Sequence, residues 1–530
     1  MTPERAKSVI KSGGSTLGIE LGSTRIKLCL VAEDPSQILA VGAFEWENRL
    51  VEGLWTYHES DIWQGLAAAF GDLQKNVEQN FGLKIEKLRT IGITAMMHGY
   101  LAFDDEGKLL VPFRTWRNTN TVQAASELTE QFGINIPLRW SIAHLRQVVL
   151  DDAAHVPNIR YMTTLAGYVH WKLTGEKVLG IGDASGMFPI DSDKKDFDEE
   201  AVKQFDELNK SSFIQGSIKD LLPLVLVAGN QAGELTSSGA TLLDPSGNLE
   251  PGVKFCPPEG DAGSGMVATN AVAPKTGNIS AGTSIFAMVV LDRTLRNMHK
   301  ELDLVATPAG HPVAMVHCNN GASELSAWVK MFIRFAEISG LKLKADQIYQ
   351  MLFEEALTGA ADAGGLLAYN YLAGEPITNF VEGRPLFVRT PNSEFSLANA
   401  IRAQIFGMFG TLSIGMEVLR EEQVELNRMS AHGGIFRTPG VAQNFLAAAL
   451  EVPVVVSQSA SEGGAWGAAI LAAFSASGDV ELSKYLEEVV FKDAEGLTVI
   501  PNSADVAGYS SFLKNYRAGL KIEAAAVENI

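Results

Sequence analysis

The chain has 530 residues, of which 46% are hydrophobic and 20% charged, so it is long enough for two or more domains with cores of their own and does not resemble a disordered protein. It carries 43 Lys and Arg against 62 Asp and Glu, a net charge of −19, and no basic run, which disfavours nucleic acid as a partner. The three cysteines, Cys29, Cys256 and Cys318, form neither a CxxC pair nor a disulfide framework, which indicates a reducing compartment.

The first sixteen residues lack the apolar core of a signal peptide. No apolar run approaches the ~20 residues that a membrane-spanning helix needs. We therefore expect a cytoplasmic protein with no membrane partner.

A β-hairpin is predicted at residues 17–31, where two runs rich in Leu, Ile and Val flank a polar turn. Gly22 permits close approach of the backbone to a ligand, and Ser23 and Thr24 offer hydroxyls and amides. Glu20, just before the turn, is able to hold a cation through water. This combination suits a nucleotide phosphate with Mg²⁺, although such a hairpin tip is more often only a turn.

A helix is predicted at residues 60–81 and a buried strand at residues 88–95, which ends in the loop MMHG. A loop after a buried strand of an α/β domain is a usual place for a ligand. His98 in this loop can donate a hydrogen bond to a substrate hydroxyl. A lone histidine is more often a structural partner, so both interpretations stay open.

Residues 110–120 place Trp116 among the planar donors Arg114, Arg117 and Asn118. An aromatic ring flanked by such donors suits the face and hydroxyls of a sugar, and it equally suits a packed loop with a buried Trp. Helices are predicted after it at residues 120–131, 140–150 and 162–173.

Residues 227–273 are rich in Gly, Pro, Ser and Asn, which predicts a long irregular connection. Near its end, the sequence EGDAGSG surrounds Asp261 with glycines, which lets the backbone come close to a ligand and leaves the carboxylate open. The simpler interpretation is a turn in which Asp261 caps a helix that begins near Ser264.

A second strand, turn, strand pattern lies at residues 278–291, with Gly282, Thr283 and Ser284 in the turn. Two phosphate-type hairpins, each near the start of one half of the chain, form the pattern of the duplicated ATPase domain that sugar kinases share with Hsp70 and actin.

The second half continues with helices predicted at residues 321–336 and 397–419. Residues 429–434, MSAHGG, are predicted to form a strand and a glycine turn before a helix, and two glycines at a helix start can admit a flat ring or a phosphate. A small-residue helix that can pack closely on its neighbour is predicted at residues 462–474.

Taken in order, LGIELGST, MMHG, EGDAGSG, NISAGTS, LAGEP, HGG followed by QNFLAAALEVPV, and EGGAWGAA resemble the FGGY carbohydrate kinase family over roughly residues 15–475. The MMHG loop is most similar to the xylulokinase branch. The resemblance implies an α/β, two-domain actin-like ATPase (ribonuclease H-like) fold, duplicated, with the nucleotide in the interdomain cleft. It implies a sugar-binding domain with the first phosphate hairpin at residues 15–269, an ATP-binding domain at 270–480 and a C-terminal extension packed on the core at 481–530.

By the same resemblance, Asp261 matches the general base that takes the proton from the primary hydroxyl of the substrate. Met97 and His98 match sugar-contacting positions, and Trp116 and Arg117 line the same pocket. The implied ligands are ATP and Mg²⁺. Glu20 lies near the implied metal, where the family usually has Asp. The implied nucleotide contacts are Ser23 and Thr24 in the first phosphate loop, Gly282, Thr283 and Ser284 in the second, and Gly433, Gly434 and Asn444 in the adenosine pocket.

Some positions depart from the family pattern. His144 stands where the first signature usually carries Lys, and Ala403 stands where the second carries an acidic residue. Trp116, Arg117 and Asn118 replace a Trp-Asn-Asp sequence, so a cation and an amide take the place of a pocket carboxylate. An acidic or differently configured sugar is therefore an alternative to xylulose.

We predict an ATP-dependent carbohydrate kinase that phosphorylates a primary hydroxyl, with a ketopentose such as D-xylulose as the leading substrate. The alternatives are a kinase for ribulose, rhamnulose, erythrulose or glycerol, and a non-catalytic nucleotide-dependent binding protein on the same fold. A homodimer is compatible with the resemblance, and the sequence does not decide the oligomeric state.

Overall fold

The computed structural model describes residues 1–210, 216–457, 463–494 and 496–530, and its chain divides into two compact units. The first unit comprises the described parts of Met1–Ala273, Leu304–Val313 and Ser459–Ala494. The second comprises those of Pro274–Asp303, Ala314–Gln458 and Glu495–Ile530. Helices and strands occur together in both units, which confirms the α/β class.

The strands are β1 Thr16–Leu21, β2 Arg25–Val31, β3 Ile38–Glu45, β4 Arg49–Val51, β5 Leu54–Thr56, β6 Thr90–Ala95, β7 Leu101–Phe103, β8 Tyr161–Thr163, β9 Val178–Gly180, β10 Ile190–Asp191, β11 Asp196–Phe197, β12 Leu224–Leu226, β13 Lys254–Phe255, β14 Glu259–Gly260, β15 Thr276–Ala281, β16 Ile285–Val290, β17 Asp303–Ala306, β18 Pro312–Cys318, β19 Leu367–Tyr369, β20 Leu386–Val388, β21 Arg428–His432, β22 Val454–Ser457 and β23 Gly496–Val499.

The helices are α1 Pro3–Ser12, α2 Glu59–Phe81, α3 Val122–Phe132, α4 Ser141–Leu150, α5 Leu165–Thr174, α6 Ile181–Ala184, α7 Glu199–Leu208, α8 Ser237–Leu243, α9 Asp261–Ala268, α10 Ser323–Ile338, α11 Ala345–Ala356, α12 Leu397–Glu421, α13 Val441–Leu450, α14 Gly463–Ser477, α15 Leu482–Tyr485 and α16 Ser503–Asn529. Within the described ranges, no helix combines the length and the apolar character that crossing a membrane requires.

The main sheet of the first unit has the strand order β13-β6-β1-β2-β3, with β14 also paired to β6. Strand β1 runs antiparallel to β2 and parallel to β6, so the hairpin predicted at residues 17–31 lies in the middle of the sheet. Leu17, Ile19 and Leu21 of β1 are fully buried and join the hydrophobic core. Parallel pairing with β6 places the polar ends of both strands at the same edge of the sheet.

Helix α14 packs directly on β1 because both elements carry small residues at the contact. A Cβ atom on Gly18 would lie 1.9 Å from the carbonyl oxygen of Ala465 and 2.5 Å from the nitrogen of Ala469. The small-residue helix predicted at residues 462–474 is thus confirmed from Gly463 onward, while Glu462 lies outside the described residues. Backbone therefore meets backbone at this contact.

The sheet of the second unit repeats the arrangement around its own hairpin. Its order is β17-β18-β16-β15-β21-β22-β23. Strand β15 runs antiparallel to β16 and parallel to β21, as β1 does to β2 and β6. The second predicted hairpin is confirmed, and the two units are built as a duplication of one strand pattern.

One prediction about local structure is confirmed only in part, and another is wrong. The helix predicted at residues 162–173 begins only after strand β8, because extended Thr164 ends the strand and its side chain caps α5. The irregular connection predicted at residues 227–273 contains α8, β13, β14 and α9. Some of its glycines serve close packing, since a Cβ on Gly263 or Gly239 would lie within 3.4 Å of neighbouring atoms, whereas Gly247 and Gly252 have positive φ and lie outside these helices and strands.

The domain boundaries stay predictions. Helices α14 and α15 group with the first unit, although the sequence interpretation assigns α14 to the second domain. Helix α16 groups with the second unit, where Arg402 of α12 forms an ion pair with Asp505.

The contact between β1 and α14 predicts that a larger residue at Gly18 destabilises the protein. The substitution Gly18→Ala should lower the free energy of unfolding by about 1–3 kcal/mol or more. The added methyl group overlaps backbone atoms of α14, which cannot change rotamer to make room. Gly71→Ala in α2 is the matched control: its Cβ meets open space, and alanine favours a helix by ~1 kcal/mol. Urea denaturation followed by tryptophan fluorescence measures both, and equal midpoints for Gly18→Ala and wild type would contradict the packing.

Candidate functional site

Asp261 is the first residue of α9 and follows β14 at the edge of the first sheet. Its Oδ1 accepts hydrogen bonds from the backbone N–H of Met97, at 3.3 Å, and of Ala262, at 3.0 Å. The capping interpretation is wrong, because the helix begins at Asp261 itself and Gly260 occupies the cap position. The carboxylate is therefore held beside the loop that contains Met97 and His98.

Glu20 is the second carboxylate at this edge. Its Oε2 accepts a hydrogen bond of 3.1 Å from the N–H of Ala465 in the first turn of α14, where the helix dipole favours negative charge. A Cβ on Gly464 would lie 3.0 Å from the Glu20 Cδ, so glycine allows this approach. Desolvation by the surrounding protein, and then the charge of Glu20, raise the pKa of Asp261 to about 6.

Glu259 lies behind Asp261 and is fully buried. Its two carboxylate oxygens accept hydrogen bonds from the backbone N–H groups of Gly182, at 3.3 Å, and Asp183, at 3.0 Å. A Cβ on Gly180 or Gly182 would lie 2.3 Å or 2.4 Å from these oxygens. The glycines of this segment thus make room for a carboxyl group inside the unit.

Asp183 is a second fully buried acid in contact with this group. Its Oδ2 accepts a hydrogen bond of 2.6 Å from Thr164 Oγ1, whereas its Oδ1 has no hydrogen-bond partner among the residues that the structure describes. Burial raises the pKa of both Asp183 and Glu259 to about 8. The charge of Asp261 further raises the pKa of Asp183, and the charge of Asp183 further raises that of Glu259. The pair therefore retains a proton at neutral pH.

His98 adopts a left-handed backbone conformation, with φ of 66°, which turns its ring toward α6 and the segment after it. Its Nδ1 lies 3.1 Å from the carbonyl oxygen of Gly186. Burial, and then the positive charge of Arg139, lower the pKa of His98 to about 3, so the ring is neutral. A neutral ring that donates Nδ1–H to this carbonyl leaves Nε2 as an acceptor. The donor role expected toward a substrate hydroxyl stays a prediction.

Trp116 and Arg117 lie near the first hairpin turn. The indole Nε1 of Trp116 donates to Ser23 Oγ at 3.2 Å, and the guanidinium of Arg117 lies 3.7 Å from the ring centroid of Trp55. Trp116 is 36% exposed, so it is not the buried residue of a packed loop.

The first hairpin turn is braced by further aromatic donors. Trp46 Nε1 donates to the carbonyl oxygen of Gly22 at 2.7 Å, and the Tyr57 hydroxyl donates to that of Ser23 at 2.5 Å. The backbone N–H of Trp46 donates to the carbonyl oxygen of Thr24 at 3.2 Å. The turn is thus held through its carbonyl groups.

In the second unit, a cavity of about 640 Å³ adjoins the second hairpin turn. Helix α10 starts at this cavity, and the amide groups at the start of a sixteen-residue helix attract phosphate. The predicted residues among those that line it are Gly282, Thr283 and Gly434, and other lining residues include Ser323, Tyr349 and Pro439.

Three other predicted nucleotide contacts are not among the residues that line this cavity. Gly433 has φ of 123°, and a Cβ there would lie 2.1 Å from the Ala281 carbonyl oxygen, so only glycine fits. Ser284 closes the hairpin turn by accepting a hydrogen bond from the Gly282 N–H at 2.9 Å. Asn444 donates from Nδ2 to the Gly440 carbonyl oxygen at 2.6 Å and so braces the turn that enters α13.

The sequence matches family models in both halves. Residues 15–247 match the N-terminal domain, and residues 277–476 the C-terminal domain, of the FGGY family of carbohydrate kinases. The chain belongs to this family. It is an ATP-dependent sugar kinase, which excludes the non-catalytic alternative.

Curated relatives of this FGGY kinase include sugar kinases of different specificity. It is 22% identical to a xylulose kinase of Haemophilus influenzae over 515 residues, which cover 94% of this chain and 98% of that protein. It is also 22% identical to a gluconokinase of Bacillus subtilis over 474 residues, which cover 87% of each.

Among solved structures, a ligand-bound xylulose kinase from Lactobacillus acidophilus superposes on the kinase with a TM-score of 0.78 at 17% identity, over 96% of this chain and 98% of that one. This likeness confirms the two-domain actin-like ATPase fold.

Sequence reasoning missed the buried acid pair of this kinase. The sequence pattern singles out neither Asp183, which lies in the polar segment GDASG at residues 182–186, nor Glu259, which is only the first residue of EGDAGSG. The signal that could have found them is an acidic residue directly before or after glycine on a segment otherwise apolar, because a buried carboxyl group needs space and backbone donors.

The buried pair predicts an alkaline loss of stability. Both carboxyls have a higher pKa in the folded chain than the ~4 of the unfolded chain, so the folded chain holds more protons between about pH 4 and pH 8 and loses stability as pH rises through this window. Between pH 5 and pH 9, the free energy of unfolding of Glu259→Gln should fall less than that of wild type, by ~1.4 kcal/mol or more, the value of one pKa unit. Its melting temperature should fall correspondingly less.

The matched control is Glu250→Gln, which removes an exposed carboxylate that faces Lys87. It should keep the pH profile of the wild type. Differential scanning calorimetry across this pH range measures all three proteins, and parallel profiles for Glu259→Gln and wild type would refute the buried ionisation.

Proposed function

We propose that this kinase transfers the γ-phosphate of ATP to a primary hydroxyl of a ketopentose such as D-xylulose, with Asp261 as the general base. The observation that carries the proposal is the hydrogen bond from the Met97 N–H to Asp261 Oδ1, which fixes a carboxylate beside His98. The likeness to a xylulose kinase along almost the whole chain supports the choice of sugar class.

Asp261 has the properties that a base for this reaction needs. With a pKa of about 6 its carboxylate is ionised at neutral pH and can accept a proton. The substrate hydroxyl loses its proton to Asp261 while its oxygen bonds to the γ-phosphorus. The bond from that phosphorus to the bridging oxygen breaks, and ADP leaves. Phosphoryl transfer depends mainly on this alignment and on charge stabilisation.

His98 orients the sugar in this proposal. Its neutral ring donates Nδ1–H to Gly186 and leaves Nε2 to accept a hydrogen bond from a sugar hydroxyl. Met97 contributes through its N–H to Asp261, and its side chain packs against Gly260, where a Cβ would lie 2.2 Å from Met97 Cγ. The two residues therefore couple the sugar to the base.

The cavity at the second hairpin turn is the proposed nucleotide site. Thr283 offers its backbone amide at one side, Gly282 lines the same side, and the start of α10 offers a positive helix end. Gly434 leaves the cavity open, since a Cβ there would meet no atom within 4 Å. The first hairpin turn, with Ser23 and Thr24, is the second proposed phosphate contact.

Glu20 is the proposed protein contact to Mg²⁺. Across the described residues no group of three or more His, Cys, Asp or Glu side chains is able to hold a metal ion by itself. Mg²⁺ usually takes one or two carboxylates and completes its shell with phosphate oxygens and water, and the proximity of Glu20 to Asp261 leaves negative charge to be balanced. Bound Mg²⁺ would neutralise charge on the phosphates of ATP.

A sugar acid is the second candidate substrate. The positive charge of Arg139 acts on His98, and Arg117, which stacks on Trp55, belongs to the loop proposed to line the sugar pocket. A carboxylate on the sugar would be attracted to them. The gluconokinase relative makes this class worth testing beside the ketoses.

The proposal predicts which compound stimulates ATP turnover. Purified protein with Mg-ATP should release ADP at least ~10-fold faster with a ketopentose than in a blank without sugar, because a bound hydroxyl replaces water as acceptor. A coupled ADP assay over ketoses, polyols and sugar acids measures this. Stimulation by a sugar acid alone would replace the leading substrate with the second candidate.

A second prediction concerns the base. Asp261→Asn should lower kcat at least ~100-fold with ADP affinity unchanged, because the amide still accepts the Met97 N–H but takes no proton. Steady-state kinetics and calorimetric ADP titration separate the two quantities. Asp104→Asn, in an exposed turn, serves as the control with wild-type kcat. A kcat within a factor of ~3 of wild type for Asp261→Asn would exclude this mechanism.

A further inference from the structure

The second hairpin turn is held from behind by the residues that precede α10. The N–H of Gly321 donates to the Thr283 carbonyl oxygen at 2.7 Å, and the N–H of Ala322 donates to that of Gly282 at 2.8 Å. A Cβ on Gly321 would lie 2.3 Å from the Gly282 oxygen, so only glycine permits this approach. The position of the turn therefore depends on the position of residues 321–322.

Asn320 ties this segment to the loop after β19. Its side chain is buried, and its Oδ1 accepts hydrogen bonds from the N–H groups of Leu372, at 2.9 Å, and Ala373, at 3.0 Å. Its Nδ2 donates to the Ala373 carbonyl oxygen and to Glu375 Oε2, both at 3.1 Å. Gly321, which holds the turn, follows Asn320 directly. A change in the hydrogen bonds between Glu375 and Asn320 can therefore shift Gly321 and with it the turn.

Glu375 is the charged end of this chain of contacts and is fully buried. Its Oε2 accepts from both the backbone N–H of Asn320, at 3.3 Å, and the Asn320 amide, at 3.1 Å. Its Oε1 has no hydrogen-bond partner within the described part of the chain. Burial of a carboxylate with one unsatisfied oxygen costs free energy in the charged form. This cost raises the pKa of the carboxyl group toward neutral pH.

The surroundings of Glu375 place this ionisation near neutrality. Burial raises the pKa of Glu375 to about 7, and the hydrogen bonds from Asn320 oppose the rise. The titratable groups that face it are the Cys318 thiol and the Tyr371 hydroxyl, whose own pKa values burial raises. Both of these groups stay neutral while Glu375 titrates.

We propose that Glu375 and Asn320 are positioning residues for the second phosphate loop, and that ionised Glu375 holds the loop in the form that binds the phosphates of the nucleotide. This inference rests on the proposed nucleotide site at that loop. Neither residue has to touch the nucleotide. Both act through Gly321 and Ala322, which hold the turn by its carbonyl groups.

The sign of the effect follows from the hydrogen bonds. Ionised Glu375 accepts two charge-assisted bonds from Asn320, and protonation converts them to weaker neutral bonds. The loop is then less well ordered before the nucleotide binds, and affinity falls. The difference between a charged and a neutral hydrogen bond corresponds to about a fivefold loss of affinity.

The test is the dissociation constant of ADP for the full chain between pH 6 and pH 8.5, measured by isothermal titration calorimetry on wild type and Glu375→Gln. The glutamine keeps an acceptor for Asn320 but carries no charge. The variant should bind ADP about fivefold more weakly at pH 8.5 and approach wild type at pH 6. Protonation of ADP itself cancels in the ratio. A ratio that stays constant across this range would overturn the proposal.

Asn370→Ala is the matched variant. Its Nδ2 donates to the carbonyl oxygens of Asn320 and Gly321, at 2.9 Å and 3.0 Å, so its loss loosens the same segment without removing the titrating group. It should weaken ADP binding and keep the pH dependence of the wild type. A purely structural role of Glu375 would make the two variants behave alike, which would also overturn the proposal.

If Glu375→Gln does not fold, as judged by circular dichroism, the proposal is tested on wild type alone. Its affinity for ADP, corrected for the protonation of free ADP, should depend on pH, whereas its affinity for adenosine, which has no phosphate, should not. Equal pH dependence for the two ligands would contradict a role that acts through the phosphate loop.

Failure of the nucleotide site itself is distinguished by Gly434→Phe, which places a ring in the cavity at a position where a Cβ meets no atom within 4 Å. Gly71→Phe in α2 is its control, since a Cβ there also meets open space. If wild type does not bind ADP, or if Gly434→Phe binds it normally, the proposed site is wrong. If Gly434→Phe abolishes binding and the ratio for Glu375→Gln stays constant, only the role of Glu375 is wrong.

Discussion

The close approach of α14 to β1 and α9 is the constraint on which the acidic site of the first unit depends. Glycine at Gly18 lets the helix backbone meet the strand, and glycine at Gly467 lets it meet α9, where a Cβ would lie 2.1 Å from the Ser264 carbonyl oxygen. These contacts bring the first turn of α14 to the end of β1. Glu20 is held there by a helix amide, close enough to Asp261 to raise its pKa.

The same packing concentrates negative charge in a small volume. Two carboxyls, Glu20 and Asp261, lie at the edge of the sheet, and two more, Asp183 and Glu259, lie buried behind them. Backbone N–H groups accommodate each of Glu20, Asp261 and Glu259, which is the usual solution for charge in a protein interior. Protonation of the buried pair, which the raised pKa values favour, limits the repulsion that would otherwise destabilise the unit.

Both proposed phosphate loops are held by hydrogen bonds to their carbonyl groups. Trp46 and Tyr57 hold carbonyl groups of the first turn, and Gly321 and Ala322 hold those of the second. Binding of a phosphate by backbone amides requires such preorganisation, because a loop that must be ordered on binding loses affinity. Donors on the carbonyl side are therefore a common feature of the two halves of this duplicated fold.

The sequence by itself determined the elements with strong local patterns: both hairpins, the small-residue helix and Asp261 among its glycines, since alternating burial and glycine placement are encoded over a few residues. The loop of Met97 and His98 was placed after a buried strand, but the hydrogen bond between His98 and Gly186 was not, because Gly186 lies far along the chain. Only the tertiary structure decided that Asp183 pairs with Glu259 and that Glu375 reaches Asn320, since these contacts join segments more than fifty residues apart.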